Sequence, residues 1–154
     1  MKILVYGYGN PGRQDDGLGP LMIEKVNEWI EQQGVQHIST DCNYQLNIED
    51  AERISDFDRV VFVDASIESI DNFSLSKVEP GKNLVEFTMH AVSPAYVLDL
   101  CNKIFNKTPE VYLVHIKGYE FELVEELTQN AKKNLELAFE FLTNPSGLLM
   151  QQAV

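Results

Sequence analysis

Gly7-Tyr8-Gly9-Asn10-Pro11-Gly12-Arg13-Gln14-Asp15-Asp16-Gly17-Leu18-Gly19 joins two stretches of different periodicity. Before it, Ile3-Leu4-Val5-Tyr6 is an unbroken apolar run of strand length. After it, Leu21, Met22, Val26, Trp29 and Ile30 recur as on one face of a helix. The loop therefore stands where a buried strand meets a helix. In open α/β sheets that is where ligands bind, outside the carboxyl ends of the strands.

The alternation continues along the chain. The first helix is expected over residues 18–33, ended by Gly34 as a left-handed terminator. Residues 35–40 read as a second strand with His37 at the surface, followed by a loop over 41–46 and a short helix through Ile54. Arg59-Val60-Val61-Phe62-Val63-Asp64-Ala65 is the strongest strand, and its apolar run implies burial on both faces. Residues 73–78 alternate in polarity, as an edge strand does. Ser93-Pro94 is an N-cap followed by proline at the first helical position. Val97, Leu98, Cys101, Ile104 and Phe105 follow at helical spacing, which makes Cys101 a core residue. A strand over 111–117, a loop over 118–122 and a helix over 124–142 complete the pattern, with a frayed tail expected after Gly147.

Size and charge narrow the function. At 154 residues the chain is expected to be one domain, residues 1–154, and 44% hydrophobic residues suit a packed core. With 12 Lys+Arg against 24 Asp+Glu, the formal charge of −12 argues against nucleic acid and anionic membrane surfaces. No apolar run approaches the ~20 residues of a membrane span, and no signal-peptide pattern opens the chain, so a cytoplasmic location is expected. Cys42 and Cys101 are too far apart in sequence for a C-x-x-C metal or redox motif.

Three readings of the loop compete. Gly7-x-Gly9-x-x-Gly12 has the spacing of a dinucleotide fingerprint, with Asp41 placed as a ribose-binding acid. In that fingerprint the helix starts at the third glycine, whereas here Arg13-Gln14-Asp15-Asp16-Gly17 intervenes and two carboxylates would repel a pyrophosphate. Residues 1–12 also resemble peptidyl-tRNA hydrolase, but no histidine precedes His37 and the chain is acidic, against the basic face a tRNA ligand needs.

The third resemblance fits best. Gly7-x-Gly9-Asn10 followed by Asp15-Asp16-Gly17 resembles the start of the [NiFe]-hydrogenase maturation endopeptidases. The similarity continues through Asp64 at the end of the third strand, Thr88-x-His90, Ser93-Pro94 with its helix, and a terminal helix behind an acidic loop. The resemblance implies an α/β fold, a three-layer α/β/α sandwich around a mixed five-stranded sheet of the phosphorylase/hydrolase-like kind. It implies an endopeptidase that removes a C-terminal extension from a hydrogenase large-subunit precursor. It also implies that nickel arrives in the substrate, so that the isolated enzyme is expected to hold no metal. The implied ligands are Asp16, Asp64 and His90, with His115 as the rival third group. Some members place the histidine just after Ser-Pro, where this chain has Ala95.

Two carboxylates and an imidazole suit a borderline divalent ion and leave coordination positions open. Either Asp16 or Asp64 would orient a water as general base, or nickel would polarise the scissile carbonyl. Gly9, Asn10, Asp15 and Gln45 are the expected substrate-contacting residues. Asn10 could equally bind the loop's own backbone. Gln45-Leu46 with Glu49 resembles a segment of members serving soluble hydrogenases, and could equally start a capped helix. A monomer is expected.

Overall fold

Side chains of Ile3–Tyr8, the first strand (β1), alternate between two cores: Ile3 and Val5 enter one, Leu4 and Tyr6 the other. In the computed structural model, which describes residues 1–80 and 92–150, β1 lies between two parallel neighbours. These are β2 (Ile38–Asn43) and β3 (Arg59–Ser66). Beyond β3 come β5 (Glu110–Lys117), also parallel, and the antiparallel edge strand β4 (Phe73–Val78). The sheet order is β2-β1-β3-β5-β4.

Helices α1 (Leu18–Gln33) and α4 (Gln129–Thr143) cover the face bearing Val5, Val61, Val63, Val114 and Ile116. Helices α2 (Asp50–Ile54) and α3 (Pro94–Phe105) cover the face bearing Leu4, Tyr6, Val60, Phe62 and Val111. The result is the expected three-layer α/β/α sandwich around a mixed five-stranded sheet. Each fully buried Leu, Ile, Val or Phe contributes roughly 1.5–3 kcal/mol by leaving water, which explains why both cores are apolar throughout.

The chain moves from β1 to β2 across one face and returns to β3 across the other. The carboxyl ends of β1 and β3 thus flank a topological switch point, where the two connections diverge and leave a crevice.

Several boundaries differ from the sequence reading. β2 starts at Ile38, because Gly34 turns the chain in the left-handed region and the Ile3 amide takes up the His37 carbonyl only then. It runs on to Asn43, so Asp41 lies inside the strand and pairs with Arg53. α4 starts at Gln129 and not Val124, since Thr128 supplies the cap, its hydroxyl accepting from the Ala131 amide. The segment after Gly147 is packed where fraying was expected: Leu149 is fully buried, its carbonyl meets His37 Nε2 at 3.0 Å, and the Leu148 carbonyl accepts from Arg59 Nη1 at 2.8 Å. His37 is accordingly half-buried and tied to the tail. Cys101 is fully buried, as its helical spacing implies.

Candidate active site

The link from β1 to α1 is folded by its own side chains. Asn10 caps a 3-10 helix spanning Pro11–Gly17, and its side-chain oxygen accepts from the Gly12 amide at 2.9 Å. The Asn10 amide in turn donates to Asp16 Oδ2 at 2.7 Å. Of the two tasks open to Asn10, the structure shows the side-chain oxygen serving the loop's own backbone. Gly9 has φ +141, and a Cβ there would lie 2.1 Å from the Asp16 carbonyl oxygen, so only glycine lets the strand end approach Asp16 this closely. Gly19 does the same for α1, since a Cβ would fall 2.5 Å from the Tyr8 carbonyl and 2.7 Å from that of Val63.

Asp15 and Asp16 diverge sharply. Asp15, expected to contact substrate, is fully buried. Its carboxylate accepts from the Tyr119 and Glu120 amides and from the amide and hydroxyl of Thr128, at 2.7 to 3.1 Å. It ties the loop after β5 to the loop after β1, and those four bonds give the buried carboxylate a structural task. Gln14 stands at φ 53, ψ −114, a strained conformation for a residue with a side chain, costing of order 1–3 kcal/mol. Its amide donates to the Val124 carbonyl at 2.7 Å, and its side-chain oxygen accepts from the Glu122 amide. The same loop therefore holds the strained residue in place, one position before the two acids.

Asp64, expected to end the third strand, lies inside β3 two residues before its end, on the sheet face that carries Phe62, since alternate strand residues share a face. Burial pushes its carboxyl up to about 7 from an ordinary 3.8, and the nearby Asp16 charge adds to the rise. The Ala65 amide and the Tyr8 hydroxyl pull the other way. Asp16 and Asp64 thus act on one another across the switch point between β1 and β3. Asp64 is in register with His115 on β5, which itself faces Ser74 on β4. Burial lowers the His115 imidazole, with the Glu68 charge opposing.

His90 lies outside the described residues, as does Thr88. Among the described residues, no three His, Cys, Asp or Glu side chains are gathered as a metal-holding group. Gln45 is exposed in the loop after β2. Behind it α2 starts at Asp50 with no side-chain cap from Glu49; Asp50 Oδ2 accepts from the Asn47 amide at 2.8 Å and from the Tyr6 hydroxyl at 2.9 Å.

The dinucleotide reading meets a geometric obstacle. α1 begins at Leu18, with five residues between it and the third fingerprint glycine, Gly12, and the intervening 3-10 turn puts Asp16 where a phosphate would need amides. A Cβ at Gly12 would touch only Asn10 Oδ1, at 3.2 Å, so the close approach that defines the motif's third glycine is missing.

Solved structures agree on the architecture. A [NiFe] hydrogenase maturation protease HycI from Thermococcus kodakarensis superposes with TM-score 0.70 at 23% identity, over 90% of this chain and 88% of that one. The chain has the fold of the [NiFe]-hydrogenase maturation proteases. The hydrogenase maturating endopeptidase HybD from E. coli matches that fold at TM-score 0.68 and 20% identity, covering 91% of this chain and 88% of its own. A hydrogenase 2 maturation peptidase from a Thaumarchaeota archaeon matches at 0.66 and 21%, covering 96% and 99%. No protein-family profile matches the sequence, and no curated protein matches it either. Among the described residues, no helix of this maturation-protease fold is long and apolar enough to cross a membrane.

Sequence reasoning passed over Tyr8, because the motif leaves that position open. It admitted His115 only as the rival third ligand. The register of β1, β3 and β5 sets both beside Asp64, and only strand pairing could have signalled that.

Proposed function

We propose that this protein is a nickel-dependent endopeptidase that removes the C-terminal extension of a [NiFe]-hydrogenase large-subunit precursor. One observation carries the reading: Asp16 and Asp64 flank the switch point of a fold shared with maturation proteases. The Asp16 charge raises the proton affinity of the Asp64 carboxyl, and a divalent cation between the two would relieve that repulsion, so the donor set suits a metal. Asp16, Asp64 and a histidine, His90 or His115, are the proposed ligands. Nickel is here the substrate's cargo, and when seated it would polarise the scissile carbonyl.

The chain's own residues supply the rest. The Asn10 amide fixes the orientation of the Asp16 carboxylate. Either Asp16 or Asp64 would orient the attacking water as general base, taking its proton and returning it to the leaving amine. Gly9, Asn10 and Gln45 stand at the strand ends where an incoming chain would pass. Co-expression with candidate large-subunit precursors tests the reading by the size shift on processing. Cleavage by the wild type and its loss in Asp16→Ala is the expected result. An unprocessed set of hydrogenase precursors overturns it.

A further inference from the structure

The most exposed large apolar side chains share one edge of the molecule. Among the described residues they are Leu123 at 84%, Ile67 at 75% and Tyr44 at 71%. Each stands in a loop leaving the carboxyl end of a parallel strand: Tyr44 follows β2, Ile67 follows β3 and Leu123 lies beyond β5. That is the edge where the crevice opens between β1 and β3. The ends of β2 and β5 are three strand spacings apart, about 14 Å. Such a spread matches a protein face and exceeds a small ligand.

The loops that present these side chains are pinned. The Tyr44 amide donates to Asn43 Oδ1 at 2.8 Å. Lys117 Nζ donates to the Ile67 carbonyl at 3.1 Å, and the Glu68 amide donates to Ser66 Oγ at 3.1 Å. The segment around Leu123 is fastened by Gln14, whose amide donates to the Val124 carbonyl at 2.7 Å and whose Oε1 accepts from the Glu122 amide at 3.2 Å. An apolar side chain held out into water by an ordered backbone keeps its unfavourable hydration until a partner covers it.

Charge selects that partner. Residues 44–49, 67–72 and 118–128 carry acidic side chains and no Lys or Arg. Glu68, Glu122 and Glu125 are exposed near Ile67 and Leu123, and none forms an ion pair among the described residues. Lys117 and Arg13, which reach this edge, donate to backbone carbonyls, those of Ile67 and Phe121. An acidic rim repels a second copy of this chain, whose formal charge is −12, and equally a nucleic acid or an anionic membrane. It suits a protein face that is apolar at its centre and ringed by Lys and Arg.

We propose that the loops after β2, β3 and β5 form a docking surface around the crevice for the precursor protein, engaging a cationic, apolar face of it. That this partner is the precursor rests on the peptidase reading; the chemistry of the face does not. The rim would hold the partner while the cleavable segment lies in the crevice, so rim and acids act on different steps.

The test uses full-length variants. Leu123→Ser removes an apolar contact, and Glu122→Lys combined with Glu125→Lys reverses the charge. Glu31→Lys, exposed near the end of α1 at the opposite edge, is the control. Binding to nickel-free precursor, expected to stay uncut, is read by surface plasmon resonance, and cleavage of the nickel-loaded form by size. Leu123→Ser should raise Kd and KM roughly tenfold, the size of one interface anchor, with kcat and melting temperature unchanged. The charge reversal should slow association and flatten its salt dependence, and Glu31→Lys should do neither. Cleavage by every variant with wild-type Kd and KM overturns the docking surface and leaves the peptidase reading in place. A wild type that sediments as a dimer, made monomeric by Leu123→Ser, overturns it in favour of self-association. If the wild type cleaves no precursor, the peptidase reading falls, and a peptide of alternating Leu and Lys becomes the probe. Weaker binding by Leu123→Ser than by the wild type then keeps the cationic, apolar partner, and equal binding removes it.

Discussion

The carboxylate of Asp15 accepts four hydrogen bonds from the segment between β5 and α4, while that of Asp16, one residue on, lies within reach of the charge of Asp64. The strained backbone at Gln14 and the 3-10 turn that follows drive this divergence. One acid locks two loops together, and its neighbour is thereby held at the crevice.

Substitution should separate the two tasks. Asp15→Ala leaves two or more buried donors without an acceptor, each costing ~1–3 kcal/mol, so a loss of roughly 3 kcal/mol or more is expected in urea unfolding. Asp16→Ala gives up one bond, from the Asn10 amide, and should cost about 1 kcal/mol while abolishing processing. A larger loss for Asp16→Ala than for Asp15→Ala would contradict the division of labour.

Asp64 should make stability fall as pH rises. Its folded value of about 7 lies above its ordinary 3.8, so between these pH values the folded state binds more protons than the unfolded state. Stability is therefore highest below about pH 4, declines up to about pH 7 and levels off above it, as far as this group is concerned. The shift corresponds to at most ~4 kcal/mol, part of which loop relaxation would absorb. Asp64→Asn should remove this slope, and it should melt at or above the wild type at pH 8. A clear loss of stability in Asp64→Asn at pH 8 would show the carboxylate to be a structural cap.

The C-terminal segment depends on a cation at the opposite edge of the sheet from the site. Buried Arg59 pairs with Glu110 at 3.1 Å and donates to the Leu148 carbonyl at 2.8 Å. Arg59→Ala should cost roughly 2 kcal/mol, because the lost bonds involve a charged donor and Glu110 remains partly solvated. Limited proteolysis should then remove residues after Asn144 sooner than in the wild type. Unchanged digestion would mean that Leu149, buried in the core, anchors the segment alone.

Processing should depend on nickel already seated in the partner. Nickel-free precursor is expected to stay uncut and the nickel-loaded form to be cleaved, with size as the readout. Equal cleavage of both, or brisk cleavage of unrelated peptides after free metal is added, would contradict recognition through the cargo metal while leaving an endopeptidase in place.

Much of this protein was legible in one dimension. The apolar runs of β1, β3 and β5, the helical spacing of α1, the Ser93-Pro94 cap and the Gly34 stop are local signals. Each is set by side-chain periodicity or by a single residue's backbone preference, so the order of elements and the fold class follow from them. The loop acids and Asp64 were legible too, because glycine spacing and a carboxylate closing an apolar run are sequence features. The start of α4 and the packed tail were not. Both are decided by partners more than a hundred residues or nearly ninety residues away: Thr128 at Asp15, and Leu148 at Arg59. Asp15 and Asp16 look alike in sequence, and only the three-dimensional path of the loop buries one and presents the other. The row that sets Tyr8, Asp64 and His115 side by side comes from parallel strand register. Register is fixed by how whole strands match their buried faces across the sheet, and no local stretch of the chain encodes it.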